Sequence, residues 1–336
     1  MPIAHSIKKL FRPSRAIVLM YHRIAEPGTD PWQLAVSKEN FRQHLEVLKD
    51  AGSVISTDEL INHIRNKKLE SDCFCITSDD GYEDNFLNAV PLIEQYACPA
   101  TFFIPSGSIG TNEPYWWDMM TEIFLSAKKL PGKLDIHINN KHFVYTLENN
   151  GVINEQQLQK HAGWYWPQNP PTQRCEIYLE LWMHLRDQPA MMISETVRKL
   201  KSWSEVEAIN SSGNFPMSKH QLHDMSCSKY VNTGVHTITH AALGAFSRQI
   251  QLTEIKGCKE FLDDNLGKDH LSIAFPYGNY NSDTLDVVKK CGLKGAFTTD
   301  PKPVTIKSDV YQLGRFQVIN QTGEQFKKQL DHWLNN

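Results

Sequence analysis

Two adjacent carboxylates are the residues of this chain best placed to do chemistry. Asp79 and Asp80 follow the apolar run Cys73 to Ser78 and precede Gly81, so they stand where a buried strand ends. Two like charges side by side repel each other, and a cation or a shared proton relieves that repulsion. Proteins built from alternating strands and helices place their chemistry at the carboxyl ends of strands. The pair therefore predicts a cation site at such an end.

Two histidines could complete that site. His236 and His240 follow another apparent strand, Tyr230 to Val235. On one helical turn, residues four apart share a face and can hold one metal ion. Catalytic zinc usually takes three protein ligands and keeps one position for water. Two histidines and one aspartate supply that number and leave the other aspartate free to act as a base. The spacing alone is a weak signal, because the chain holds 14 His.

Composition excludes some classes of function. The 336 residues are 40% hydrophobic and 22% charged, and 35 basic against 38 acidic residues give a net charge of -3. That balance is ordinary for a soluble globular protein and indicates no nucleic-acid partner. The seven Cys form no CxxC pair and no regular framework. We interpret them as reduced, packed thiols.

The beginning of the chain leaves two interpretations open. Residues 1–13 are basic, and Ile3 to Phe11 could form a short amphipathic helix at a membrane surface or be a frayed terminus. The apolar run that follows, residues 16–21, is too short for a signal peptide core or a membrane span. We therefore expect a cytoplasmic protein, with peripheral membrane contact through residues 1–13 as a further hypothesis.

Strands and helices alternate on both sides of an irregular middle section. Apolar strands without polar alternation, separated by helices, indicate a parallel sheet. About seven such strands predict an α/β fold, a distorted (β/α) barrel over residues 14–336. Residues 106–215 interrupt the rhythm with Trp clusters, Pro-rich turns, a hairpin and two helical segments. They are too long for a loop and predict an inserted α+β subdomain.

With these residues in place, both flanks of the chain resemble the NodB-like polysaccharide deacetylases, carbohydrate esterase family 4. The Thr77-to-Gly81 segment resembles that family's Thr-Phe-Asp-Asp-Gly motif, with Ser78 at the Phe position. The resemblance implies that Asp79 is the catalytic base and Asp80 a metal ligand. His236 and His240 fit the family's His-Ser/Thr-x-x-His motif and would be the other ligands. Zinc is the expected divalent ion, although nickel, cobalt and iron also suit His and Asp.

Three further residues carry expectations from the resemblance. Phe275 to Gly278 is similar to the family's third motif, which implies that the backbone NH of Tyr277 faces the developing oxyanion. The arginine that often precedes this motif is absent, so Arg315 is the candidate to orient Asp79; an exposed, solvated Arg315 is the alternative. The family's late Leu-x-His motif is absent too. His22 lies in Leu19 to Ile24, which resembles the first strand of the poly-N-acetylglucosamine deacetylase subgroup, and would be the catalytic acid; a core histidine is the alternative.

The resemblance predicts a metal-dependent hydrolase that removes N-acetyl groups from an amino-sugar-containing glycan or its precursor. Aromatic faces suit sugar rings, and we expect Trp116, Trp117 and Asp118 to contribute to the substrate cleft, with core packing of the insert as the alternative. Two other functions stay open at this point. One is another amide hydrolysis at the same site, such as deformylation, and the other is a catalytically decayed carbohydrate-binding protein.

Overall fold

The computed structural model describes residues 13–206 and 214–335, which include twelve strands and eleven α-helices. The strands are β1 (Ala16–Tyr21), β2 (Arg23–Ile24), β3 (Ala35–Val36), β4 (Ser53–Val54), β5 (Cys73–Ser78), β6 (Ala100–Ile104), β7 (Lys133–Ile138), β8 (Lys141–Thr146), β9 (Val231–Val235), β10 (Ser272–Ala274), β11 (Gly295–Phe297) and β12 (Phe316–Gln317). The helices are α1 (Lys38–Ala51), α2 (Thr57–Arg65), α3 (Val90–Tyr96), α4 (Trp116–Thr121), α5 (Glu155–Gly163), α6 (Gln173–Leu185), α7 (Ala190–Ser204), α8 (Lys219–Ser226), α9 (Arg248–Leu266), α10 (Ser282–Lys290) and α11 (Gly323–Asn335).

One parallel sheet forms the body of the protein. Seven strands follow one another in the order β11-β10-β9-β6-β5-β1-β12, and β4 pairs with β5 beside them. Leu313 bridges Phe297 at the end of β11, while Phe316 pairs with Leu19 in β1. The segment 313–317 therefore connects the two edges of the sheet. This confirms the predicted fold class, a distorted (β/α) barrel.

The two faces of the barrel strands are buried in different environments. Ile17 and Leu19 of β1 pack in the cluster that includes Leu45 and Leu48 of α1, so this face meets the outer helices. Val18, Cys75 and Phe103 belong to a separate cluster on the inner face of the sheet. Because side chains alternate along a strand, Thr77 and Asp79 belong to the inner face. The strands are apolar throughout because both faces are covered.

Hydrogen bonds at both ends fix where α1 begins and ends. The Ser37 side chain accepts a hydrogen bond from Asn40 N, and the backbone NH of Gly52 donates to Leu48 O. Ser56 forms a reciprocal capping box with Glu59 at the start of α2. Such caps satisfy backbone groups that a helix end leaves without partners. The outer helices are thereby held at a fixed length against the strands.

Residues between β6 and α8 build a second hydrophobic core of their own. It combines α4, the antiparallel hairpin β7-β8 and helices α6 and α7 around Phe124, Tyr178 and Leu181. Tyr82 and Tyr277 from the barrel contact the same cluster. The insert therefore packs directly over the carboxyl ends of the barrel strands, since Tyr82 lies three residues beyond Asp79.

The last strand of the barrel, β12, is short, because residues 305–312 form turns and bends before the chain reaches β1. Residues 1–12, which hold most of the expected basic segment, lie outside the described residues. Membrane contact and cytoplasmic location stay predictions. In the described ranges, no helix combines the length and the apolar character needed to cross a membrane.

Candidate active site

Asp79 is bound through both carboxylate oxygens to a buried arginine. Arg315 Nη1 and Nη2 donate to Oδ1 and Oδ2 of Asp79, each at 2.7 Å. Arg315 is 0% exposed, and its remaining donors reach Thr298 O and Thr77 Oγ1. Burial raises the pKa of Asp79, but the charge and hydrogen bonds of Arg315 outweigh it and hold that pKa below its usual value. The carboxylate is ionised at neutral pH and can accept a proton.

The histidine segment is a loop, so the expectation that it forms a helical turn is wrong. After β9 the chain has no helical hydrogen bonding through His240, and Thr237 and His240 take positive φ values of 67° and 57°. The sequence favours a helical turn because His236 and His240 are four positions apart. The two imidazoles nevertheless converge, since the loop folds back over the strand ends. Asp80 also has a positive φ, 73°, which turns its side chain towards them.

Asp80, His236 and His240 form a buried group suited to a divalent metal ion. Asp80 Oδ1 lies 3.1 Å from His240 Nε2 and 3.5 Å from His236 Nε2. Nitrogen and oxygen ligands about 2.0–2.2 Å from a tetrahedral zinc ion are roughly 3.3–3.5 Å from each other. His236 Nδ1 donates to Ala274 O at 2.8 Å, which directs Nε2 towards Asp80 and His240. Burial lowers the pKa of His240, so its imidazole is neutral. The residues present fit a metal ion of intermediate softness.

His22 lies in the same cleft as Asp79. It follows β1, and its backbone carbonyl accepts hydrogen bonds from Ser78 Oγ and Asn85 Nδ2. Ser78, at the position where the family motif has Phe, thus fixes the backbone that carries His22. The Nδ1 atom of His22 is buried and has no hydrogen-bond partner within the described residues. Because His22 lines the cleft, the rest of its ring can contact a bound substrate.

Tyr277 stands at the carboxyl end of β10. Its φ is 58°, and its ring contacts His240 edge-on with 4.5 Å between centroids. Gly278 follows because a Cβ there would lie 2.0 Å from Thr299 Oγ1. The left-handed turn therefore presents the Tyr277 backbone beside the metal ligands. The role of its NH stays a prediction.

A cleft of about 490 Å³ contains His22, Asp79 and Asp80, together with both histidines. Its walls are largely aromatic. Trp32 packs at a tilt against Trp182, with 4.1 Å between ring centroids, and the Trp166 ring lies 6.3 Å from that of Trp32. Trp166 is 44% exposed, whereas tryptophan side chains are on average largely buried. Trp32 and Trp182 were missed in the sequence because nothing near them marks them as functional and the cleft walls come from distant segments.

The three residues expected to share the substrate cleft are separated by the structure. Trp117 lines the cleft and contacts His240 with 4.9 Å between centroids. Trp116 packs against Trp117 and Trp182 behind the wall. Asp118 faces a different cavity, where it accepts a hydrogen bond from Tyr82 at 2.8 Å. Because α4 is a helix, consecutive side chains point in different directions. The expectation that Asp118 lines the substrate cleft is therefore wrong.

Asp118 belongs to a buried polar network below the cleft. Burial, opposed by Arg23 and the Tyr82 hydrogen bond, raises its pKa to about 7. Arg23 is itself paired with Asp84 at 3.0 Å. Trp117 Nε1 donates to Tyr82 Oη at 2.6 Å, which connects the network to the cleft wall. The network positions Trp117 rather than touching the cleft itself.

A second group with metal-ligating side chains lies on the hairpin β7-β8. Asp135, His137 and His142 are all exposed, and His142 Nε2 lies 2.8 Å from Asp135 Oδ1. The group differs from the Asp80 group in its exposure to solvent. Water hydrates its side chains and weakens their electrostatic interaction with a cation. Measurements of bound metal must therefore separate the two groups.

Comparisons with known proteins agree with this fold. Residues 196–296, which include His236 and His240, match the family model described as polysaccharide deacetylase. The poly-beta-1,6-N-acetyl-D-glucosamine N-deacetylase of Staphylococcus aureus (strain MSSA476) is 22% identical over 343 residues, covering 97% of this chain and 87% of its own.

Two solved structures share the fold over nearly the whole chain. The Streptococcus pyogenes deacetylase PplD, in complex with acetate, has a TM-score of 0.58 and 19% identity, with 97% of this chain and 100% of that chain covered. IcaB from Ammonifex degensii has a TM-score of 0.57 and 16% identity, with 97% and 99% covered.

A parallel (β/α) barrel with an Asp-His-His group and a neighbouring carboxylate at its rim is an arrangement that metal-dependent hydrolases use. Over residues 196–296 the chain is similar to the polysaccharide deacetylase family, which its motifs also resemble.

Proposed function

We propose that this protein is a metal-dependent hydrolase that removes N-acetyl groups from an amino-sugar-containing glycan. The observation that supports it most is the convergence of Asp80, His236 and His240 beside an ionised Asp79 that Arg315 holds by both oxygens. Asp80 and the two histidines would hold the metal. When bound, the metal ion polarises the acetamide carbonyl and lowers the pKa of a water molecule towards about 7.

The residues around this group divide the remaining tasks. Asp79, with its lowered pKa, takes a proton from the attacking water, and Arg315 keeps its carboxylate from rotating. The backbone NH of Tyr277 donates to the oxygen on which negative charge develops. His22, whose Nδ1 has no partner among the described residues, donates a proton to the departing sugar amine. Trp32, Trp166 and Trp182 bind the sugar rings through their faces.

We further propose a polymer or oligomer of N-acetylglucosamine as the substrate class. Support comes from the Staphylococcus aureus relative, whose name states a β-1,6-linked substrate, and from a cleft with several aromatic surfaces rather than one. Zinc is the proposed ion, since two imidazoles and one carboxylate are common zinc ligands.

The test is acetate release from oligomers of N-acetylglucosamine with β-1,6 and β-1,4 linkages, followed by mass spectrometry of the products. Zinc-loaded protein is expected to produce species that have lost one or more acetyl groups. Asp79→Asn should abolish the reaction, and Asp224→Asn, an exposed aspartate on α8, should not. The hydrolase proposal fails if no acetyl group is lost or if Asp79→Asn is as active as the wild type. Formate release from N-formyl analogues, faster than acetate release, would favour deformylation instead.

A further inference from the structure

The loop that carries both histidine ligands has a backbone that does not keep its shape unaided. Thr237 and His240 have φ values of 67° and 57°. Residues other than glycine seldom occupy this left-handed region, and they do so where surrounding contacts determine the conformation. The contacts of the loop therefore decide where the two imidazoles point.

On one side, the loop is held by the chain that follows β6. Ser106 N donates to Thr237 O at 3.1 Å, and Gly107 N donates to Ile238 O at 2.8 Å. The approach is close, because a Cβ on Gly107 would lie 2.7 Å from Ile238 O. These bonds satisfy the loop's carbonyl groups and leave its NH groups to be satisfied from elsewhere.

On the other side, a single carboxylate accepts from the loop three times. Glu254 Oε2 accepts from Ile238 N and from Thr239 N, both at 2.8 Å. Its Oε1 accepts from the Thr239 hydroxyl, also at 2.8 Å. Glu254 is half-buried in α9, away from either end of that helix, so it is not a helix cap. Both oxygens of its carboxylate accept hydrogen bonds from the histidine loop.

The two histidines depend on this anchor to different degrees. The ring of His236 is fixed directly by its Nδ1 bond to Ala274 O. The Nδ1 atom of His240 is buried and has no partner among the described residues. Its ring packs against Trp117 and Tyr277, and its Nε2 lies 3.1 Å from Asp80 Oδ1, so no backbone group fixes the ring directly among the described residues. A shift of the loop therefore moves His240 first.

We propose that Glu254 is a positioning residue that sets the metal affinity of the Asp80-His236-His240 group through the loop backbone. Glu254 does not touch the metal. The inference rests on the proposed function in that it takes the group to be a metal site. Removing a hydrogen bond that orients a metal ligand without itself contacting the metal typically changes metal affinity by about 10- to 100-fold.

The test is zinc affinity, measured by competition with a chromophoric chelator on Glu254→Ala and Glu254→Gln. The alanine variant loses all three bonds and should bind zinc at least about 10-fold more weakly. The glutamine variant should stay within about 3-fold of the wild type, because its amide oxygen can accept both NH bonds and its NH₂ can donate to Thr239 Oγ1. Glu260→Ala, an exposed glutamate on the same helix, is the matched control.

All proteins are measured in a His137→Ala, His142→Ala background, which removes the exposed hairpin group. The visible absorption of the cobalt-loaded proteins reports ligand geometry and should change only in Glu254→Ala. Wild-type affinity in that variant with only a lower melting temperature would overturn the inference, since the role would then be purely structural. Equal weakening in Glu254→Gln would also overturn it, because charge rather than hydrogen bonding would matter. Failure of the proposed metal site itself looks different, since Asp80→Asn would then bind zinc like the wild type.

Discussion

Replacing Arg315 with methionine should leave a buried carboxylate without its counterion. The Arg315 and Asp79 side chains are 0% and 4% exposed, and two bonds of 2.7 Å join them. Removing one partner of such a buried pair costs about 3–5 kcal/mol, because the other charge stays in a medium that solvates it poorly. We therefore expect the unfolding equilibrium constant of Arg315→Met to rise about 10²- to 10⁴-fold at neutral pH.

The pH dependence gives this prediction a sign. In the wild type, the pKa of Asp79 is lower in the folded than in the unfolded protein, where it is about 3.9. The pair therefore stabilises the fold above that pH, and its contribution is lost as pH falls through the folded-state pKa. The difference in stability between wild type and Arg315→Met should be largest at neutral pH and shrink below about pH 4. Without Arg315, burial raises the pKa of Asp79 unopposed by that charge. The acid limb of kcat/KM should therefore move to higher pH.

Urea denaturation of the metal-free proteins at pH 7 and pH 3.5, together with a pH profile of kcat/KM, measures both effects. Arg248→Met, at an exposed arginine near Asp283 and Asp286, is the control and should cost less than about 1 kcal/mol. Adding Asp79→Asn to Arg315→Met should recover part of the lost stability, since it removes the unpaired charge. The reasoning is refuted if Arg315→Met loses less than about 1 kcal/mol, or loses the same amount at both pH values.

Three further predictions concern the cleft. His22→Gln should lower kcat by about 10²- to 10⁴-fold while leaving zinc content unchanged, as turnover assays and metal analysis would measure; a loss of zinc would argue against a proton-donor role. Trp166→Ala should raise KM for oligosaccharides with little change in kcat or melting temperature, because the ring is exposed; an effect on kcat alone would contradict a binding role. Dialysis against a chelator should abolish activity, restored by zinc, without unfolding the protein by circular dichroism, because three hydrophobic clusters hold the fold without metal.

The sequence was most informative where local composition alone determines position. Asp79 and Asp80 end an apolar run, and the strand rule places them at the barrel rim without knowledge of the rest of the chain. The same rule places His22 at that rim, because it directly follows the apolar run of β1. These residues could be located because the carboxyl ends of parallel strands meet at one edge.

What the sequence could not supply depends on long-range packing. Arg315 is separated from Asp79 by 236 positions, and no pattern near it distinguishes a buried guanidinium from a solvated one. The spacing of His236 and His240 fits a helical turn as well as a loop, and only the tertiary contacts of Ile238 and Thr239 decide between them. Trp32 and Trp182 become neighbours only when the insert packs onto the barrel.

The segment that connects the two edges of the sheet also has a consequence for biosynthesis. Arg315 lies between Leu313, which bridges β11, and Phe316, which pairs with β1. During translation, Asp79 and all three metal ligands leave the ribosome long before the arginine that neutralises Asp79. A nascent or truncated chain that ends before residue 315 contains Asp80, His236 and His240, but it lacks the arginine that binds Asp79. The buried pair of Asp79 and Arg315 therefore forms only after the segment 313–317 has been synthesised.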